Sequence, residues 1–237
     1  FSLSRAEVVY GPSSVGYGSD ALGGVVHYFT KEPRVGDAQP WRFFIANSYD
    51  TRHEHSINHV DITHSNDKWA SLTSASYSIF GDIYMGRQRN HGYADWGLVS
   101  EISKNNRYFF QEQPQSNPNP NRQYNTKYDQ IDLMQKLVFQ PNAENKWVLN
   151  LQYSESSDIP RFDKLAERMD DELRYATWFY GPQKRLLISP KYSFTTDKKW
   201  LREGVITLAY QEIEESRVQR KFGSLLRESQ IEDLDVF

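Results

Sequence analysis

Six histidines and no cysteine bound the chemistry this chain can do. His53, His55 and His59 share one parity in and beside a short turn, His64 takes the other, and His91 lies in a long polar stretch. A neutral imidazole is a common metal ligand and changes charge near neutral pH. Tyr93, Tyr108 and Tyr124 stand in the same polar stretch as His91. His53, His55, His91, Tyr93, Tyr108 and Tyr124 are therefore the candidate contacts for a bound ligand. No Ser/His/Asp spacing marks a catalytic centre. The carboxylates of Asp170-Asp171-Glu172 and of Glu212, Glu214 and Glu215 read as solvated or lumen-facing charge. Without cysteine, disulfides, thiolate nucleophiles and Cys-based zinc sites all fall away.

A second chemical pattern sits near the start. Gly16-Tyr17-Gly18-Ser19-Asp20-Ala21 formally fits a dinucleotide fingerprint, which needs a strand before it and a helix opening at its end. Gly23-Gly24 would break that helix at once, and a β-branched run follows. A phosphate-binding loop fails too, because Tyr17 stands where its lysine belongs. Val8-Val9-Tyr10 and the run Val25 to Thr30 flank the glycines, so the segment reads as a tight turn between two strands.

The elements that position these residues have to be inferred from a polar chain. Its 237 residues amount to about 1.6 average domains. Aromatics make up 14%, charged residues 25%, and mean hydropathy is -0.75. No window supplies the roughly 20 apolar residues of a membrane-crossing helix. The many aromatics argue against disorder. A net charge of -3 gives no basic field for nucleic acid.

The dominant period is two. In Lys146 to Ser154, Trp147, Leu149, Leu151 and Tyr153 take one face, opposite Val148, Asn150, Gln152 and Ser154. Such alternation marks a strand with one apolar and one polar face. Similar alternation predicts eight strands, near 41–50, 54–65, 68–80, 126–140, 146–157, 184–195, 204–218 and 227–237. In the seventh, Glu212 and Glu214 continue the row of Ile206, Leu208 and Tyr210, so the apolar row ends near Gln211. Connections alternate between short (66–67, 141–145, 196–203) and long (81–125, 158–183). Short turns on one side, long loops on the other and aromatics near strand ends fit a transmembrane barrel. A soluble sandwich, or a small barrel with its apolar face inward, fits the periodicity as well.

Residues 5–31 add a more specific signal. Glu7, Val8, Gly11, Pro12, Ser14, Tyr17, Gly18, Ala21, Gly23, Gly24, Val25, Thr30 and Lys31 match the string EV-x-x-GP-x-S-x-x-YG-x-x-A-x-GG-V-I-N-x-x-TK. This segment resembles the end of the plug domain of TonB-dependent outer-membrane receptors; His27 replaces the usual Asn. Gly11, Pro12, Tyr17, Gly18, Ala21, Gly23 and Gly24 are its structural positions. The resemblance implies an all-β fold: a plug folded inside a barrel of about 22 strands. Residues 1–35 would close the plug, with the boundary falling within 32–39. Residues 36–237 would give about eight strands of the wall. Such a chain is a fragment, starting inside a plug motif and stopping inside a strand.

The implied function is active import across the outer membrane of a Gram-negative bacterium, with no enzymatic step and no resident cofactor. The implied partners are the TonB energy-transducing complex, outer-membrane lipid and a small ligand. Ser19-Asp20-Ala21-Leu22 departs from the variant of the glycan-importing branch, which favours haem, a ferric siderophore or cobalamin. Segments 151–161 and 178–184 are similar to haem-receptor-like members from Bacteroidota, and haem iron takes an axial His. A passive porin-like or adhesive barrel, and a soluble β-domain enzyme or sugar-binding module, are the alternative classes.

Overall fold

β-branched and aromatic residues dominate two short runs near the start, and in the computed structural model they pair. The structure describes residues 2–11, 16, 23–104 and 113–236. Strands β1 (Leu3–Tyr10) and β2 (Gly24–Thr30) form an antiparallel hairpin, with Tyr10 opposite Gly24. Gly24 has φ 152° and a Cβ there would lie 2.7 Å from the Val9 carbonyl, so this pairing needs glycine. Of the expected plug positions, Gly11, Gly23 and Gly24 lie in the described hairpin; Pro12, Tyr17, Gly18 and Ala21 lie outside the described residues.

Most of the rest is one antiparallel sheet, and three pairs of two-residue strands in the long loops stand apart from it. Its longer strands are β3 (Trp41–Asp50), β4 (His55–Ser65), β5 (Trp69–Phe80), β6 (Tyr128–Phe139), β7 (Asn145–Ser156), β8 (Tyr175–Tyr180), β9 (Lys184–Lys198), β10 (Leu201–Thr207), β11 (Tyr210–Lys221) and β12 (Glu228–Val236), and the two-residue segment Ile159–Pro160 pairs on β8. Neighbours in sequence are neighbours in space from β3 to β7; β7 then pairs β9, β9 pairs β10 and β11, and β11 pairs β12. The turn after β4 is closed by Asn66, whose Oδ1 accepts the Lys68 and Trp69 amides, and the turn after β6 by Asn142 in the same way.

Three strand boundaries differ from the sequence expectation. β8 lies inside what reads as the 158–183 loop. It continues β9 across a one-residue bulge, for Tyr180 pairs Arg217 and Lys184 pairs Glu214. Gly181 occupies the bulge at φ 138°, where a Cβ would meet Asp158 Cα at 2.7 Å. The remaining loop carries a short helix, α1 (Phe162–Leu165), over a cluster of Leu165, Tyr175 and Trp178. The expected strand 204–218 is interrupted at Leu208-Ala209, yet both halves keep one register on β9: Lys191 opposite Thr207, Ile188 opposite Tyr210. Pro190 stands opposite the break and has no N–H for the ladder. Ser189 Oγ donates to the Leu208 carbonyl at 2.9 Å in its place, while Leu208 N donates back to Pro190 O at 3.0 Å. The turn expected at 196–203 shrinks to 199–200 because β9 runs on to Lys198.

Register sorts the two faces, because residues opposite one another point the same way. On the outer face an exposed apolar row runs through Phe43, Ile45, Ile62, Ile131, Leu133, Ile188 and Ile206. At its short-turn end Trp69, Phe139, Trp147 and Tyr192 stand side by side on four adjacent strands, with ring spacings of 4.2 Å for the first pair and 4.0 Å for the last. Toward the long loops the same row turns charged at Glu155, Lys184 and Glu214, consistent with its end near Gln211. Polar residues within the row pair across strands, as Thr73 Oγ1 does to Gln135 Oε1. The inner face is polar, with buried His59, Asp61, Ser74, Ser78 and Lys136.

Two expectations follow. Ser189→Ala leaves the Leu208 carbonyl without its donor and should cost about 1 kcal/mol in denaturant unfolding of the full-length protein. In the loop, Lys164 and then Arg174 hydrogen-bond Glu167 and lower its pKa below the usual carboxylate value. A carboxylate depressed in the folded state contributes order above its unfolded pKa and loses it as pH falls through the folded value. Protease cleavage of 161–174 should therefore stay slow at neutral pH and accelerate on acidification below about pH 4. Glu167→Gln should remove that pH dependence.

Candidate functional site

At the long-loop end of the sheet, β3 and β4 are joined by a tight turn built on Asp50, whose Oδ1 accepts the Arg52 amide at 2.7 Å. His53 Nδ1 lies 2.8 Å from Asp50 Oδ2. With Arg52, Tyr84, Gly86, Arg87 and Gln88, His53 lines an open recess of about 470 Å³. The Arg52 guanidinium lies 5.4 Å from the Tyr84 ring centre, and that of Arg122 lies 5.5 Å from Tyr84 and 4.4 Å from Tyr124. Burial works against the Arg122 charge, but the hydrogen bond and Coulomb attraction of Asp82 outweigh it and raise the Arg122 pKa. Asp82 also accepts from the Thr126 amide at 3.1 Å, fixing the start and end of the long loop together.

The other expected contacts are dispersed. His91 packs 5.7 Å from Tyr93 and 5.5 Å from Trp96 on an exposed part of the loop. His55 faces inward, its ring 4.4 Å from Phe80, which stacks on Tyr128 at 4.4 Å. Tyr108 lies outside the described residues. The structure thus brings His53 and Tyr124 to one cationic, aromatic patch, His91 and Tyr93 to another, and leaves His55 on the wall. Among the described residues no three of His, Asp and Glu converge as a metal site requires. A larger cavity of about 550 Å³ lies under the loop, where Lys104, Lys127, Asp129 and Asp158 mix both charges around Phe80, Tyr128 and Phe179.

Sequence reading missed a second site, where the β1–β2 hairpin meets the inner face. Lys31, one residue past β2, places Nζ 2.6 Å from Asp61 Oδ2. Asp61 Oδ1 lies 3.0 Å from Nε2 of fully buried His59, whose Nδ1 lies 2.8 Å from Ser76 Oγ. Ser74 also hydrogen-bonds Asp61 and lies 3.0 Å, oxygen to oxygen, from Ser2 at the start of the hairpin. Lys136 Nζ donates to Thr30 Oγ1 at 2.6 Å, and Lys146 pairs Glu32 at 2.6 Å. Both open ends of the hairpin are thereby tied to one carboxylate. Val35 then packs on Ala70, Val138 and Val148, holding the linker to the wall. His55 and His59, which share a parity in the sequence, both face inward; the available signal was Asp61 two residues on, opposite the serines of β5.

No protein-family model matches the chain, and no curated protein matches it. Solved structures do. The chain is similar to the copper transporter OprC with a TM-score of 0.58 at 10% identity, covering 92% of this chain and 26% of that one. It also aligns with the ferric enterobactin receptor PfeA, solved in complex with BCV-L6, with a TM-score of 0.44 at 11% identity over 92% of this chain and 33% of that one. The chain thus spans about a quarter of the length of the copper transporter. At this identity the likeness speaks to fold alone: a broad antiparallel sheet like one sector of a β-barrel, preceded by a two-stranded hairpin.

Proposed function

We propose that the chain belongs to a TonB-dependent outer-membrane receptor that actively imports a small iron complex or cobalamin. The observation that carries this is the hairpin fastened to the polar inner face through Lys31 and Asp61. A passive pore keeps its lumen open, whereas here a separate element occupies it and is held by ion pairs that mechanical work can break. The plug motif supports the same reading, as does the fold shared with a copper transporter. Ligand enters from the long-loop end, which is the extracellular side on this reading. There Arg52, Arg87 and Arg122 alternate with Tyr84, Tyr124 and His53, a combination suited to an anionic, aromatic chelate such as haem or a ferric siderophore. His91, Tyr93 and Tyr108 are the further contacts, and His55 meets ligand only on the way through the lumen. The periplasmic partner is the TonB complex, and the exposed apolar row meets outer-membrane lipid.

Uptake by cells carrying the full-length receptor should stop when the proton gradient is collapsed; uptake that continues would indicate a passive pore. Haem added to the purified receptor should give a shifted Soret band that His91→Ala abolishes, and an unshifted band would remove haem from the ligand class. Lys31→Ala leaves Asp61 with His59 and Ser74 and should weaken the hairpin–wall contact by about 2 kcal/mol. Faster hydrogen exchange of the amides of 31–36 would report it, and Asp61→Asn combined with Lys31→Ala should cost less than the sum of the two single changes.

A further inference from the structure

The inner face holds a serine hydroxyl, that of Ser76, on a buried histidine and carboxylate. Strand register sets His59, Ser76, Asp132, Ser154 and Arg185 in one row across β4, β5, β6, β7 and β9. Ser76 Oγ lies 2.8 Å from His59 Nδ1, and Nε2 of that ring lies 3.0 Å from Asp61 Oδ1. Lys31 Nζ holds the other oxygen of Asp61 at 2.6 Å. The His59 side chain is fully buried, whereas Ser76 is half-buried and lines a cavity of about 270 Å³. Met134, Gln152 and Arg185 line it from the wall, and Ser2 and Thr30 bound it on the hairpin side.

A serine, histidine and carboxylate in series form a nucleophilic relay by geometry and role, whatever their order in the chain. The Asp61 carboxylate beside Nε2 favours the ring proton there, which leaves Nδ1 to accept the proton of Ser76. The two ring nitrogens exchange their usual roles, and the acid–base logic is unchanged. The hydroxyl is the member of the series that opens on a cavity, where a reactant can reach it. We propose that Ser76 is a nucleophile, with His59 as its general base, and cleaves a small uncharged carboxylic ester. Ser76 Oγ attacks the carbonyl carbon as its proton passes to His59 Nδ1. The C–O bond to the alcohol breaks, and the alcohol leaves with the proton from His59. Water then gives His59 a proton, attacks the acyl group and frees the acid, and the proton returns to Ser76. Gln152 and Arg185 bring N–H donors to the cavity for the carbonyl oxygen as it gains charge. Among the described residues of the lining, Asp132 and Arg185 are the charged ones and have opposite signs, which suits a neutral substrate. The volume lies below the roughly 300–1,000 Å³ of drug-sized pockets, so the ester is small.

The test treats the purified full-length protein with diisopropyl fluorophosphate, which a nucleophilic serine displaces from fluoride, and maps the adduct by mass spectrometry. The wild type should carry the label on Ser76, and the same protein unfolded by heat should not. His59→Gln should slow labelling about 100-fold, the scale of a lost general base. Asp61→Asn should slow it about tenfold, and Asp61→Glu, which restores the charge, should recover part of the rate. 4-Nitrophenyl acetate should be hydrolysed by the wild type and not by Ser76→Ala, whose small change leaves the sheet intact. Folded wild type without label on Ser76 would overturn the nucleophile, as would unchanged labelling of His59→Gln. Equal hydrolysis by wild type and Ser76→Ala would overturn the ester-cleaving activity.

Discussion

Backbone hydrogen bonding is the constraint from which the rest of this structure follows. A strand that crosses hydrocarbon has no water to satisfy its N–H and C=O groups, so each must pair with a neighbouring strand. The ladder from β3 to β12 does this with antiparallel neighbours throughout, and the site where it would fail shows how strong the requirement is. At Pro190 the missing donor is replaced by the hydroxyl of Ser189, and register is kept on both sides of the gap. Once register is fixed, period two does the sorting. One row of side chains becomes an exposed apolar surface, and the other a polar face with buried His59, Asp61 and Lys136.

That polar interior explains a chain whose mean hydropathy is -0.75 while its aromatic content is 14%. The inner face is the place where ionised groups are affordable, because each finds a partner: Asp61 between Lys31 and His59, Lys136 on Thr30. These contacts are also what holds the N-terminal hairpin. A buried ion pair contributes little net stability against its desolvation, but removing one partner is expensive. Such a contact fixes the position of the hairpin on the sheet.

Much of this was legible in the sequence, and the failures have physical causes. The strands with clean alternation, 41–50 and 146–157, were read within a residue of their ends because one face is apolar and the other polar. β8 was missed because Tyr175, Ala176, Thr177, Trp178 and Phe179 are all buried, so no alternation marks it. The interruption within 204–218 was invisible because its cause lies on another strand, at Pro190. The β-branched runs flanking the glycines located the hairpin, since Gly24 answers to a local backbone need. The Lys31–Asp61–His59 cluster was not legible, for it joins residues 30 apart that only strand register and the hairpin's docking bring together. The candidate ligand contacts were chosen by residue type, and type alone did not foretell that they divide between two loop patches and the wall.

The account stands or falls on the two faces of the sheet, which cysteine labelling measures directly, since this stretch carries no cysteine of its own. Single cysteines placed in turn at 147 to 154 of the full-length protein, spin-labelled in membranes, report contact with oxygen dissolved in lipid or with a water-borne paramagnetic reagent. The account predicts strict alternation: labels at 147, 149, 151 and 153 respond to oxygen, and those at 148, 150, 152 and 154 to the aqueous reagent or to neither. Uniform aqueous accessibility along the strand, or the opposite alternation, would contradict it.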